Sequence, residues 1–208
     1  MFTLSISNVL LIIVPLLAGL TFHECSHAAA AYALGDDTAK RQGRLTLNPL
    51  VHLDFIGTLC IVLSGIVGWA KPVPVNPWNF KNPVKGMAIV AIAGPLANFL
   101  IAVAVSLLIR AFVQTDLLFR LPAFFSEPLE KMLYIAFFLN IGLCFFNLLP
   151  VPPLDGFRVL SVFLPPRATE ALHRYAIVFF VALVVFSASG ALTGYFRRIS
   201  GFFYEVLL

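Results

Sequence analysis

Four long apolar stretches, separated by short polar or proline-rich ones, dominate the chain. The first starts at Val9, continues through a His-Glu pair and resumes as Ala28–Leu34, long enough for a tilted membrane-spanning helix over Asn8–Leu34. Gly35-Asp36-Asp37 closes it with a helix-stop glycine and a polar turn. After Lys40-Arg41-Gln42-Gly43-Arg44, the alternation Leu45-Thr46-Leu47 before Asn48-Pro49 predicts a short strand. Phe55–Ala70 is apolar but short for a full span, and Gly57, Gly65 and Gly68 suit a re-entrant or protein-buried segment. The prolines of Lys71–Pro77 exclude a helix and leave an extended loop or edge strand.

Met87–Ile109 reads as the second clear span, and its Ala93-Gly94-Pro95-Leu96-Ala97-Asn98 permits close helix approach and a kink. Residues 110–131, with Pro122 and Pro128, predict a mixed loop. Met132–Leu149 is the third span, broken by Pro150-Val151-Pro152-Pro153-Leu154-Asp155-Gly156, and Ala171–Gly190 is the fourth. The tail from Tyr195, with Arg197 and Arg198 among aromatics, resembles an interfacial segment. The expected fold is a membrane α-helical, polytopic bundle of about four transmembrane helices, with a re-entrant, strand-containing segment between the first two.

Composition sharpens this. The chain is 60% hydrophobic and 12% charged with a mean hydropathy of +0.95, against about 45–50% and about 25% in soluble domains. The net charge of +4 does not point to nucleic acid. Its basic residues sit between apolar runs, where they meet lipid headgroups. Cys25, Cys60 and Cys144 each lie in an apolar stretch and read as small buried hydrophobes rather than a disulfide framework. Residues 1–22 lack Lys and Arg, so a cleaved signal peptide is not expected. With the end of helix one placed in the cytoplasm, nine of the 14 basic residues fall inside, favouring an outside N-terminus.

His23-Glu24-Cys25-Ser26-His27 carries the chemistry. Residues four apart share a helix face, so both imidazoles can reach one metal ion, with Glu24 beside a metal-bound water as general base. Ionisable groups inside a span are costly and functional by default. Two histidines plus one carboxylate is a zinc arrangement, and Asp155, at a proline-rich break, is the best third candidate. On local sequence a turn-capping role is equally open to it. His52 and Asp54 are rivals that read better as a hydrogen-bonded loop pair.

His23-Glu24-Cys25-Ser26-His27 and Leu154-Asp155-Gly156 resemble the paired motifs of the site-2 protease family of intramembrane metalloproteases. Gly43–Pro49, Ala70–Val75, Ala93–Asn98 and Phe146-Asn147-Leu148-Leu149-Pro150 are similar to further signatures of that family, so the likeness covers about residues 10–165. The resemblance implies a zinc endopeptidase with one Zn2+ per chain held by His23, His27 and Asp155, and Glu24 activating water. It also implies that Asn147, eight residues before Asp155 on the same helix, holds substrate backbone or the developing oxyanion. The Leu45–Leu47 and Pro72–Val75 segments would offer an edge to an unwound substrate strand. The expected domain is single, 1–208, with a catalytic core of about 8–165 and a C-terminal helix and tail of about 166–208. Expected partners are a transmembrane protein or peptide substrate and membrane lipid, in a multi-pass bacterial plasma-membrane protein with the site near its cytoplasmic face. Two features depart from many relatives: Phe55 follows Asp54 where a proline is common, and the expected form is compact, without PDZ or CBS domain. A metal transporter, or an inactive homologue that binds transmembrane segments, remains the alternative.

Overall fold

The computed structural model describes residues 6–57 and 69–208. Helix α1 spans Ile6–Ala33 and carries the His-Glu pair in its second half. It stops where Gly35 takes φ +105°, a left-handed conformation that favours glycine. The turn returns the Asp36 N–H to the Ala31 carbonyl at 2.9 Å. A short helix α2, Thr38–Arg41, follows. Helix α3, Pro83–Gln114, starts from an Asn82 cap whose side chain accepts from the Lys85 N–H, with Pro83 in the first turn where no donor is missed.

The predicted loop over residues 110–131 is largely helix. α3 continues to Gln114, a 3-10 turn covers Leu118–Arg120, and α4 begins at Ala123 and ends at Asn147. Apolar run length marks the hydrocarbon thickness, and a helix is free to continue beyond it through residues such as Arg110 and Gln114. Asn147 and Asp155 are not on one helix as expected. Asn147 closes α4, and Asp155 opens a separate short helix α5, Asp155–Leu160, because Pro150, Pro152 and Pro153 supply no helical donors between them. The predicted fourth span is α6, Pro166–Arg174, and α7, Ala176–Ala188, which meet at a bend of 61°.

The tail forms α8, Ala191–Leu207. It is more than an interfacial segment, since Phe203 and Leu207 pack against the buried Ala102, Phe137 and Ile141 of α3 and α4. Phe203 stands edge-on to Phe99, with ring centroids 5.5 Å apart.

Leu45–Leu47 forms bends rather than the predicted strand. A strand needs a partner, and here the backbone is held by side chains instead. Among the described residues the pairing reduces to one antiparallel bridge between Leu53 and Ala70, with the Lys71 N–H on the His52 carbonyl at 2.8 Å. The re-entrant segment expected over Phe55–Ala70 falls mostly on residues 58–68, outside the described residues, as does Cys60.

Among the described residues three helices are long and apolar enough to cross a membrane, and the bent α6–α7 pair makes a fourth if counted as one span. Their packing suits lipid as solvent. Ala28, Ala31, Ala91, Ala102, Asn98 and Asn140 are buried, while Leu10, Val14, Ile89, Leu100, Val181 and Val185 face outward. Small residues let backbones approach, and polar ones find partners only inside the bundle. The buried contacts are made chiefly by α1, α3 and α4 on one another, with α5 docked on α3.

Candidate metal centre

One helical turn of α1 separates His23 from His27, and their rings stand edge to face with centroids 4.6 Å apart. Each ring is fixed by a bond at Nδ1. His27 lies 2.7 Å from the Val90 carbonyl of α3, which can only accept, so its Nδ1 carries the proton. His23 Nδ1 lies 2.6 Å from Asn98 Oδ1. Asn98 donates its amide hydrogens to the Gly19 carbonyl at 3.0 Å and to Asn140 Oδ1 at 2.9 Å. Its oxygen is therefore the acceptor, and His23 also carries its proton on Nδ1. This follows from what each partner can donate.

In the neutral rings both Nε2 atoms are then bare lone pairs, and they point at one another. They lie 3.0 Å apart, and Asp155 Oδ2 sits 3.1 Å from His23 Nε2 and 3.3 Å from His27 Nε2. Three electron-pair donors at such separations, buried or nearly so, suit a cation between them. Ligands about 2.0–2.1 Å from a tetrahedral zinc lie about 3.3–3.4 Å from each other, close to this triangle. His23, His27 and Asp155 thus fit a zinc ion, and among the described residues they are the group of His, Cys, Asp and Glu that could hold a metal.

α3 approaches this helix face closely at Gly94. A Cβ added there would stand 2.5 Å from the His27 ring and 2.6 Å from the His23 ring, so the glycine leaves the space that the imidazoles fill. At Gly156, next to Asp155, a Cβ would meet the Leu148 carbonyl oxygen at 2.2 Å, so this glycine lets the start of α5 pack on the backbone at the end of α4.

The triangle opens onto a cavity of about 610 Å3, whose polar lining is His23, Glu24, His27, Asn147, Asp155 and Arg158. The expected site residues are therefore brought together. Asn147 spends one amide hydrogen on the Leu143 carbonyl at 2.9 Å and keeps a second donor. Pro72, Val73 and Val75 form part of the wall, so the Pro72–Val75 segment borders the cavity without forming a strand.

That segment is tied down by residues outside the motifs. The fully buried Asp36 accepts from the Asn76 N–H at 2.7 Å, from Asn79 Nδ2 at 2.7 Å and from the Thr38 N–H at 3.1 Å. Burial pushes its carboxyl up, but the donors of Thr38, Asn76 and Asn79 outweigh this and hold it below the ordinary carboxylate value. The buried Arg44 donates to the Lys71 carbonyl. His52 bonds the Thr46 carbonyl at 2.9 Å, and Asp54 accepts from the Gly57 N–H at 2.8 Å. These two rivals for the third ligand hold the loop and stand outside the metal-ligand group.

Reading the motifs alone left Asn98, Asn140, Arg44 and Arg158 without roles at the site. The signal for the two asparagines was present: an amide within an apolar span needs a partner for the same reason a histidine does.

An apolar helical bundle enclosing a two-histidine, one-carboxylate centre has the construction of a metal-binding membrane protein. The family model described as Peptidase family M50 matches residues 117–187. A Bacillus subtilis protein named "Putative zinc metalloprotease YwhC" is 42% identical over 185 residues, covering 84% of this chain and 80% of that protein. The Mycobacterium tuberculosis "Putative zinc metalloprotease Rip2" is 33% identical over 199 residues, covering 89% of this chain and 70% of that protein. "Putative zinc metalloprotease MJ0611" of Methanocaldococcus jannaschii is 30% identical over 160 residues, covering 74% and 72%. No solved structure matches significantly. The chain belongs to peptidase family M50, the site-2 protease family.

Proposed function

We propose that this protein is an intramembrane zinc endopeptidase, hydrolysing peptide bonds within or next to transmembrane segments of membrane proteins, as in regulated intramembrane proteolysis. The observation that carries the reading is the convergence of His23 Nε2, His27 Nε2 and Asp155 Oδ2 at 3.0–3.3 Å on a cavity that also contains Glu24. Family membership and the names of the relatives support it.

Zinc, when bound by His23, His27 and Asp155, supplies Lewis acidity that lowers the pKa of water and polarises a carbonyl. The Glu24 carboxylate accepts a proton from the attacking water as its oxygen bonds to the scissile carbonyl carbon. It returns a proton to the amine nitrogen as the C–N bond breaks, so two chain ends leave and Glu24 is regenerated. Asn147, with one amide hydrogen uncommitted, supports the carbonyl oxygen as charge develops there. A substrate helix hides its carbonyls in its own hydrogen bonds, so it unwinds locally and lies extended along the Pro72–Val75 wall.

Replacing Glu24 with Gln keeps the shape and all three candidate ligands. The expected result is loss of cleavage of a model transmembrane substrate in detergent, with zinc near one per chain. Full activity in that variant would overturn the mechanism, and chelator-insensitive cleavage would overturn the role of the metal.

A further inference from the structure

Arg158 lies on α5, three residues after Asp155, and lines the same cavity. Among the described residues it is the one Lys or Arg in that lining, and it is half-buried. The ion pairs among the described residues join His23 and His27 to Asp155, Arg41 to Asp37, Lys131 to Glu127 and Arg174 to Glu170, and Arg158 takes part in none of them. Although one turn from Asp155 and within one cavity with Glu24, its guanidinium neutralises neither. Phe157 beside it is buried and packs edge-on against His173 of α6, with centroids 4.9 Å apart.

A cation withdrawn from bulk water without a carboxylate partner is costly, and the cost is recovered when a ligand provides one. The guanidinium is built for this, since its planar donors match a carboxylate in two parallel hydrogen bonds. We infer that Arg158 is a specificity-determining residue: it receives an acidic side chain of the substrate close to the scissile bond. This rests on the protease reading above and names the substrate class for it. α5 rises about 1.5 Å per residue and an extended substrate about 3.3 Å per residue. The acidic residue therefore falls within roughly four residues of the cut.

The test is a panel of model transmembrane substrates in which one Glu, Gln or Lys is walked through the four positions on each side of the cleavage site. Wild-type enzyme is expected to show, at one position, about a tenfold higher kcat/KM for Glu than for Gln, the scale of a charge-assisted bond at a half-exposed site. Lys there should be worse than Gln. The Glu/Gln ratio should fall to about one in Arg158→Gln, persist in Arg158→Lys, and give way to a Lys preference in Arg158→Glu. Because each ratio is measured within one enzyme, a general loss of activity cancels, and the wild-type panel decides the matter even if a variant fails to fold. Equal wild-type cleavage of the Glu and Gln substrates at every position overturns the inference while leaving the protease reading intact. No cleavage of any substrate by zinc-loaded wild type overturns the protease reading itself. If Arg158→Gln changes rates only in vesicles rich in phosphatidylglycerol and not in phosphatidylcholine, whatever the substrate's charge, Arg158 meets a lipid phosphate and the inference is wrong.

Discussion

His23 and His27 are each committed at Nδ1, so their free Nε2 atoms are presented as a pair. Partners of this kind fix ring orientation and basicity, and losing one costs about 10- to 100-fold in metal affinity. Asn98→Ala is therefore expected to weaken zinc binding by about that factor. Competition against a chelator of known affinity measures it, and affinity unchanged within twofold would show that the amide does not hold His23. Gly94→Ala attacks the same rings from the other side. Its Cβ would lie at 2.5–2.6 Å from both imidazoles, which are packed and hydrogen-bonded and have nowhere to retreat. Zinc content well below one per chain is expected in purified protein, and stoichiometric zinc would refute the steric account. The candidate ligands were legible in the sequence because spacing and membrane cost single out His23 and His27, whereas Asp155, the best third candidate at its proline-rich break, was balanced by a turn-capping role until the resemblance favoured it. Asn98 was visible as part of a small-residue stretch and a family signature, but not as a partner of His23, because its role depends on Gly19 and Asn140, 79 and 42 residues away.

At the scale of elements, the apolar runs located α1, α3 and α4, since a span must be apolar whatever its neighbours. Their ends were harder to read, because helices continue past the hydrocarbon on their own hydrogen bonds. The Leu45–Leu47 alternation misled for a different reason: a strand is defined by its partner, and Arg44, His52 and Asp36 took over the work of holding these loops. Asp36 gives this a pH signature. Its carboxyl sits below the ordinary value of 3.8 in the folded protein, so its contribution is fully present above that value and is lost as pH falls through the lower folded value. Melting of the detergent-solubilised protein should thus show a fall in Tm below about pH 4 that is shallower in Asp36→Asn. The variant should also start from a lower Tm at pH 7, because its amide cannot accept from Thr38, Asn76 and Asn79 with both oxygens. Parallel pH profiles would remove Asp36 from the account.

For the molecule as a whole, the question is which side of the membrane supplies water to the site. α1 and α4 run one way and α3 the other, so the C-terminal end of α1, the N-terminal end of α3 and the α4–α5 break share a face. His27 is six residues from the end of α1 and Val90 seven from the start of α3, placing the centre about 10 Å below that face. Lys40, Arg41, Arg44, Lys71, Lys81 and Lys85 lie in or beside the loops of this face, while the opposite turn between α3 and α4 is flanked by Arg110, Arg120 and Lys131. On the bias of basic residues we propose that the site's face is the cytoplasmic one. Gln42 and Thr115 are exposed on opposite faces and touch neither the metal triangle nor Arg158, so each can carry a cysteine as a reporter. With an impermeant maleimide, Thr115→Cys is expected to label in intact cells stripped of their outer layers, and Gln42→Cys only in inverted vesicles. The unmodified chain, whose described cysteines Cys25 and Cys144 lie within α1 and α4, serves as the background. The reverse pattern would turn the protein over, placing the source of hydrolytic water outside the cell and the acidic substrate residue sought by Arg158 on the outer end of its transmembrane segment.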